Sequence, residues 1–326
     1  MKTEISILII SFIVSILLGF VIIPILKKLK VGQIERDDGP KTHLKKQGTP
    51  TMGGIIIIIT MIIITVGVCV YLSINNQNEI VSKIIPLLIL TTGFGIIGLI
   101  DDFKKLVLKN TKGLKPTYKI IGLLSISVIY ITYLIYVLHI PLETHIPFIK
   151  EYIGMPIYIY FPFAILVILG TTNAINLTDG IDGLSSSISA IIITCITIIG
   201  VNLSTPEISI FGSIVIGSIL GFLMFNLHPA KVFMGDTGSL LLGGVISTMI
   251  LYLKMPLLLI LIALIPVLET LSVIIQVVYF KKTGKRFFKM APLHHHYELS
   301  GWKENKVVIV FSVITLILCG IGLNII

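Results

Sequence analysis

Charge is scarce in this chain. Of its 326 residues only 13% are charged, against 55% hydrophobic, and the mean hydropathy is +1.03. Soluble domains carry about one quarter charged residues, so a soluble globule is excluded. Cysteine is scarce too. Cys69, Cys195 and Cys319 each lie inside an apolar run, with neither metal-ligand spacing nor a disulfide framework, and read as small packing residues. A domain linker, a low-complexity tail and a repeat of fixed period are all lacking. The first apolar run begins almost at Met1 without a basic leader region or a small-residue cleavage site, which predicts a retained helix.

What the chain has instead is apolar runs, each about as long as the roughly 20 residues a helix needs to cross a bilayer. They predict an all-α, polytopic integral membrane protein, with residues 1–326 forming one transmembrane domain. Ten spans are expected, near 5–26, 54–73, 84–100, 119–140, 157–175, 185–202, 208–225, 239–253, 256–280 and 306–325. The connections alternate in character. Loops 27–53, 101–119, 226–238 and 281–305, with their edges, hold 21 of the 25 Lys and Arg residues. The positive-inside rule makes that face cytoplasmic and places both termini outside. The net charge of +9 therefore belongs to loops between spans and does not point to nucleic acid. On the other face, stretch 141–156 with Pro141, Pro147 and Pro156 suits a small hairpin or helix.

The chemistry gathers on the cation-rich face. Between two apolar runs, Val232–Ser239 places Asp236 between Gly235 and Gly238, with Thr237 and Ser239 beside it. A carboxylate and hydroxyls on a glycine turn suit a hard cation carrying phosphate, or simply a tight inter-helix turn. Lys45–Gly54 puts cations before a Gly/Thr/Pro helix start. That suits an anion as well as it suits a membrane anchor. Gly93, Gly95 and Gly98 spell a dinucleotide fingerprint, yet no strand precedes them, so close helix packing is the better reading. Asp101 and Asp102 follow at the membrane edge. Adjacent carboxylates repel unless a cation or proton relieves them. Either Lys104 and Lys105 do so as a surface cluster, or the pair works on a metal or a proton.

Asn173–Leu184 is denser in polar groups than a turn requires. Asp179 and Asp182 share a face if this segment is helical, whereas Gly180 and Gly183 let it wrap a ligand if it is looped. Ala291–Glu298 holds His294, His295 and His296, whose consecutive spacing does not make a zinc site. Glu269 lies inside the ninth span. An intramembrane carboxylate is functional by default, although a structural hydrogen bond within the bundle is the expectation adopted. Pro266 is expected to break or bend that helix.

His43–Gly54, Asp101–Lys105, Asn173–Gly183, Lys231–Ser239 and Ala291–Glu298 together resemble the polyprenyl-phosphate N-acetylhexosamine-1-phosphate transferases, in that family's order. The paired aspartates and the Asp179/Asp182 segment belong to the whole superfamily. Thr49–Gly54 and Pro292–Glu298 point to its phospho-N-acetylmuramoyl-pentapeptide transferase branch. Lys115-Pro116, where the family more often has small residues, is a local departure.

The resemblance implies transfer of phospho-N-acetylmuramoyl-pentapeptide from its UDP-linked donor to undecaprenyl phosphate. The products are lipid I and UMP, the cofactor is Mg²⁺, and the place is the bacterial cytoplasmic membrane. It also implies a homodimer, to which Gly217–Gly221 adds little beyond a capacity for close helix packing. Loops 27–53, 101–119, 174–185, 226–238 and 281–305 would form the active site. Asp236 would hold the metal, and Asp101 or Asp102 would help place it or take a proton from the lipid phosphate. A prior attack by an aspartate, giving a phospho-enzyme, stays open. Lys46, Lys105 and Lys119 would steady phosphate charge. Asn176, Asp179 and Asp182 would form the nucleotide side, with Phe233 near the uracil. His294, counted as catalytic, and His295 would face phosphate or sugar. Thr51, Asn173, Asn226 and His296, polar groups of the same loops, complete the substrate-binding set. Two rivals remain. A sister transferase using UDP-N-acetylglucosamine would share the aspartates. An ion-coupled transporter needs ionisable groups at mid-membrane, and only Glu269 qualifies.

Overall fold

The computed structural model describes residues 2–29, 48–106 and 113–326. Lys46, and the cations between Lys30 and Lys45, lie outside them. The helices are α1 (Lys2–Lys28), α2 (Gly54–Ile74), α3 (Asn78–Leu106), α4 (Pro116–Tyr136), α5 (Ile157–Thr178) and α6 (Leu184–Asn202). They continue with α7 (Pro206–Asn226), α8 (Gly235–Tyr252), α9 (Leu259–Ile262), α10 (Leu264–Thr283), α11 (Leu293–Glu298) and α12 (Glu304–Asn324).

Many of these segments are rich in isoleucine, a middling helix former in water. In hydrocarbon, however, every backbone polar group must be satisfied within the segment, and the α-helix does this. Stray hydroxyls follow the same logic: Thr60, Thr91 and Ser127 each donate to the carbonyl four residues back, at 2.6–2.7 Å.

Among the described residues nine helices are long and apolar enough to cross a membrane. The chain is a multi-pass membrane protein. The expected span missing from those nine is α8, whose polar first turn sets it apart. It nevertheless runs the length of the bundle: Asp236 at its start bonds Lys119 in the first turn of α4, and Tyr252 at its end bonds Glu207 in the first turn of α7. From Thr237 to Tyr252 every residue of α8 is buried. Its neighbours α2, α3 and α5 approach at glycine. A methyl at Gly54 would overlap the Gly238 backbone, one at Gly98 the Asp236 carbonyl, and one at Gly243 the Thr172 backbone. Close packing, rather than dinucleotide binding, thus accounts for Gly98. Gly217 and Gly221 are spent in the same way against Leu8 and Ser15 of α1, inside one chain, and give no support to a dimer contact.

The ninth expected span is interrupted. A 3₁₀ turn (Pro256–Leu258) leads into α9, and the chain breaks at Ala263 before α10 begins. Pro266 lacks the N–H that would bond the carbonyl four residues earlier, at Ile262, so a continuous helix is lost there. Stretch 141–156 forms a hairpin of β1 (Glu143–Ile146) and β2 (Glu151–Gly154), antiparallel with Glu143 opposite Gly154. Lys254 after α8 reaches Glu143 at 2.6 Å, and Lys150 donates to the Ile326 carbonyl at 2.9 Å. Ser209, near the start of α7, lies 3.5 Å from Glu4 of α1. Both described chain ends therefore lie at the end of the bundle away from Asp236. α1 turns Ile5, Ile9, Ile13, Leu17 and Phe20 outward, the face a lipid-contacting helix presents.

Candidate active site

Five helix ends meet at Asp236, the starts of α2, α4 and α8 and the ends of α3 and α5. The turn before α8 is stitched to the start of α2, with Gly53 N–H donating to the Phe233 carbonyl at 2.8 Å and Gly54 N–H to Met234 at 2.9 Å. Phe233 N–H returns the bond to Pro50 at 2.8 Å. Gly235 has φ +73°, and a methyl there would crowd Asp102 Oδ2 and Thr51 Oγ1, so only glycine fits this turn. Thr51 is itself buried beneath it.

Asp236 Oδ2 accepts from Lys105 Nζ and Lys119 Nζ, both at 2.9 Å, and Oδ1 accepts from Asn176 Nδ2 at 2.8 Å. The same lysines reach Asp101 Oδ2, at 2.8 Å from Lys105 and 3.6 Å from Lys119. Asp101 Oδ1 accepts the Leu114 N–H at 2.6 Å. Two carboxylates thus face each other across two ammonium groups, which relieve the repulsion that adjacent acids would otherwise suffer. Asn173 and Asn176 lie in the last two turns of α5. Asn176 also donates to Ser239 Oγ at 2.8 Å, whereas Asn173 is exposed and returns its amide to the Leu169 carbonyl.

Asp102 is one residue from Asp101 and does something else. Its Oδ1 accepts the Asp236 N–H at 3.2 Å, and its Oδ2 accepts the Thr237 N–H at 2.9 Å and hydroxyl at 2.6 Å. The N-cap of α8, Met234, supplies no side-chain acceptor. Asp102 therefore caps α8 from a neighbouring helix, where free N–H groups and the helix dipole favour a carboxylate. Asp102 is only 4% exposed, so its oxygens are enclosed with these donors. Thr237, whose hydroxyl the sequence places toward a cation, faces Asp102 instead.

The Asp179–Gly183 segment is looped, with Gly183 in the left-handed region at φ +74°. Asp179 is partly buried. Burial, with the charges of Asp236, Asp102 and Asp182 behind it, pushes its carboxyl well above the usual aspartate range. Asp182 is enclosed: its Oδ2 meets His228 Nδ1 and the Ala230 N–H, both at 3.0 Å, while its own N–H donates to Glu304 Oε1 at 2.8 Å. His228 Nδ1 also lies 3.3 Å from Glu304 Oε2. This cluster ties the α5–α6 loop and the α7–α8 loop to the start of α12. His228 and Glu304 were not singled out from sequence. An acid in the first turn of a last helix, like Glu304, looks like a simple complement to the helix dipole.

Four further residues that the sequence marks for substrate have protein partners instead. Asn226 donates to the Val232 carbonyl at 3.0 Å and accepts from Ser186 Oγ at 2.7 Å, which holds the α7–α8 loop shut. His294 is fully buried beside Glu269, whose carboxylate accepts its backbone N–H at 3.2 Å. Glu269 is thus engaged within the bundle, as the structural reading expects. His296 Nδ1 accepts the Lys289 N–H at 3.2 Å, and His295 pairs with Glu298 at 2.8 Å.

Two clusters have donor sets that a metal could use. Asp101 and Asp236 offer only hard oxygens, the preference of Mg²⁺. Asp182, His228 and Glu304 mix nitrogen with oxygen and already satisfy one another.

Residues 84–254 match the Glycosyl transferase family 4, and residues 46–58 match the phospho-N-acetylmuramoyl-pentapeptide-transferase signature 1. The chain is 47% identical to a phospho-N-acetylmuramoyl-pentapeptide-transferase from Acetivibrio thermocellus, over 98% of this chain and 94% of that one. Proteins of the same name from Clostridium botulinum and Clostridium perfringens are also 47% identical. They cover 98% and 97% of this chain, and 95% and 96% of their own length.

Proposed function

The chain belongs to the phospho-N-acetylmuramoyl-pentapeptide transferase family, and from that membership we propose its reaction and the residues that carry it. It transfers phospho-N-acetylmuramoyl-pentapeptide from the UDP-linked donor to undecaprenyl phosphate, giving lipid I and UMP. One substrate is a water-soluble polyanion and the other a membrane lipid with its phosphate at the interface, so they meet where the loops of this bundle surface. The 21 cations of that face make it cytoplasmic. The observation that supports the assignment most is Asp236, seated at the start of a helix between two lysines and an asparagine, with Asp101 alongside.

A phosphate monoester has a second pKa of about 6 and is already a competent oxygen nucleophile. Catalysis is then mainly positioning and neutralisation of charge. A lipid phosphate oxygen attacks the sugar-bearing phosphorus of the donor. The new P–O bond forms as the bridging P–O bond breaks, and UMP leaves with the electron pair. Asp101 takes the proton from lipid phosphate that arrives protonated. Lys105 and Lys119 hold the phosphate oxygens, and Asn176 fixes the rotamer of Asp236. The all-oxygen donors of Asp236 and Asp101 fit Mg²⁺, which when bound would neutralise the diphosphate. The Asp179–Gly183 loop, with Phe233, forms the nucleotide side. A homodimer is proposed on family grounds alone, and mass measurement in nanodiscs tests it.

The decisive assay is UMP release by purified protein with undecaprenyl phosphate and Mg²⁺, the two UDP-sugars being supplied separately. Release with the pentapeptide donor only, lost on chelation, is expected. Release with UDP-N-acetylglucosamine only would overturn the substrate, and no release from folded protein would overturn the reaction.

A further inference from the structure

Glu269 and His294 are both fully buried, one on α10 and the other on α11, and neither has a place in the reaction above. The Glu269 carboxylate accepts the His294 N–H, at 3.2 Å from Oε1 and 3.4 Å from Oε2, while His294 Nδ1 sits 3.3 Å from Oε1. The residue that starts α11, Pro292, supplies no side-chain acceptor of its own. Glu269 therefore holds the backbone N–H of His294 and lies beside its ring, whose Nδ1 makes no hydrogen bond. On the far side of that ring, Nε2 has no hydrogen-bond partner and is packed against Gly180, where a methyl would overlap it. A buried nitrogen without a partner is costly, so its position is imposed by what surrounds it. Gly180 follows Asp179 and stands two residues before Asp182.

We propose that Glu269 and His294 are positioning residues, a buried brace that presses on Gly180 and holds the Asp179–Gly183 loop in shape. The histidine acts through the glycine and not on phosphate. The brace joins α10, whose outer face carries the exposed Leu271, Ile274, Ile275 and Val278, to a loop facing the aqueous side. Its consequence for the reaction rests on the proposed placement of that loop at the nucleotide, and the two claims have separate readouts.

Hydrogen exchange on the full-length protein in detergent reads the brace directly. Glu269→Ala should speed exchange of the 179–184 amides by about tenfold, leaving α8 unchanged. Glu269→Gln, which keeps an acceptor for the His294 N–H, should restore most of the protection. Gly180→Ala should give the same local loosening from the other side. Exchange at 179–184 that stays at the parent rate, or rises equally throughout the bundle, would overturn the proposal. UMP affinity reads the consequence: Glu269→Ala and Asp179→Asn should each weaken it by about tenfold. Local loosening with unchanged UMP affinity in both variants would keep the brace and remove the nucleotide placement.

Discussion

Asp101 and Asp102 are neighbours on one helix turn and have opposite surroundings. Asp101 faces Asp236 across the side-chain cations Lys105 and Lys119. Asp102 points about 100° further round the helix, into the backbone of α8, where it satisfies two N–H groups and a hydroxyl. Asp179 and Asp182 differ in another way. One is held against the charge of its neighbours, the other is enclosed by His228, Ala230 and Glu304. A carboxylate whose partners are side-chain cations can exchange them for substrate. One whose partners are backbone donors is part of the frame, and an acid-rich motif contains both kinds.

The largest effect should come from Asp236→Ala. Turnover should fall by roughly 10³-fold or more, with Tm in detergent unchanged, because lysines lose a partner but no backbone group is stranded. Normal turnover at saturating Mg²⁺ would remove Asp236 from the centre. Lys119→Met should lower kcat/KM by roughly 10²-fold, again without loss of Tm. Asp102→Ala should behave differently. Stranding the α8 donors costs on the order of 3 kcal/mol, so turnover and Tm should fall together. Lost turnover with an unshifted Tm would break the comparison and make Asp102 a substrate contact.

The smallest effect is a slope. The folded protein holds the Asp179 proton more tightly than the unfolded chain. Its contribution to stability is complete below the ordinary aspartate pKa of 3.8 and is lost as pH rises through the raised folded value. In metal-free protein, the Tm advantage of Asp179→Asn over the parent should therefore grow as pH rises from 3.8 and level off above the raised folded value. An advantage independent of pH would show that charge is not the cause.

Much of this was legible without coordinates. Apolar run length exposes the spans, because hydrocarbon permits few alternatives to a helix, and Pro266 marks a real interruption near Ala263. The loops that meet at Asp236 are the ones whose polar density a plain turn does not require. What sequence could not show is which way a side chain points once neighbours are chosen. Asp102 looks as reactive as Asp101, and His294 as exposed as His295, because direction round a helix matters only relative to a partner. The partners here, Thr237 and Gly180, lie far away in the chain. His228 and Glu304 escaped notice for the same reason, each being unremarkable until the bundle brings them together on Asp182.

The enclosure of α8 also predicts a map of mutational tolerance. Helices such as α1 should accept apolar exchange every three to four residues, on the side turned to lipid. A saturation library of α8 should show no such rhythm. From Thr237 to Tyr252 each position is walled in, and at Gly238, Gly243 and Gly244 even one added methyl has no room. Sequence drift in this protein should therefore be slowest along an entire helix, well beyond the few residues at its reactive end.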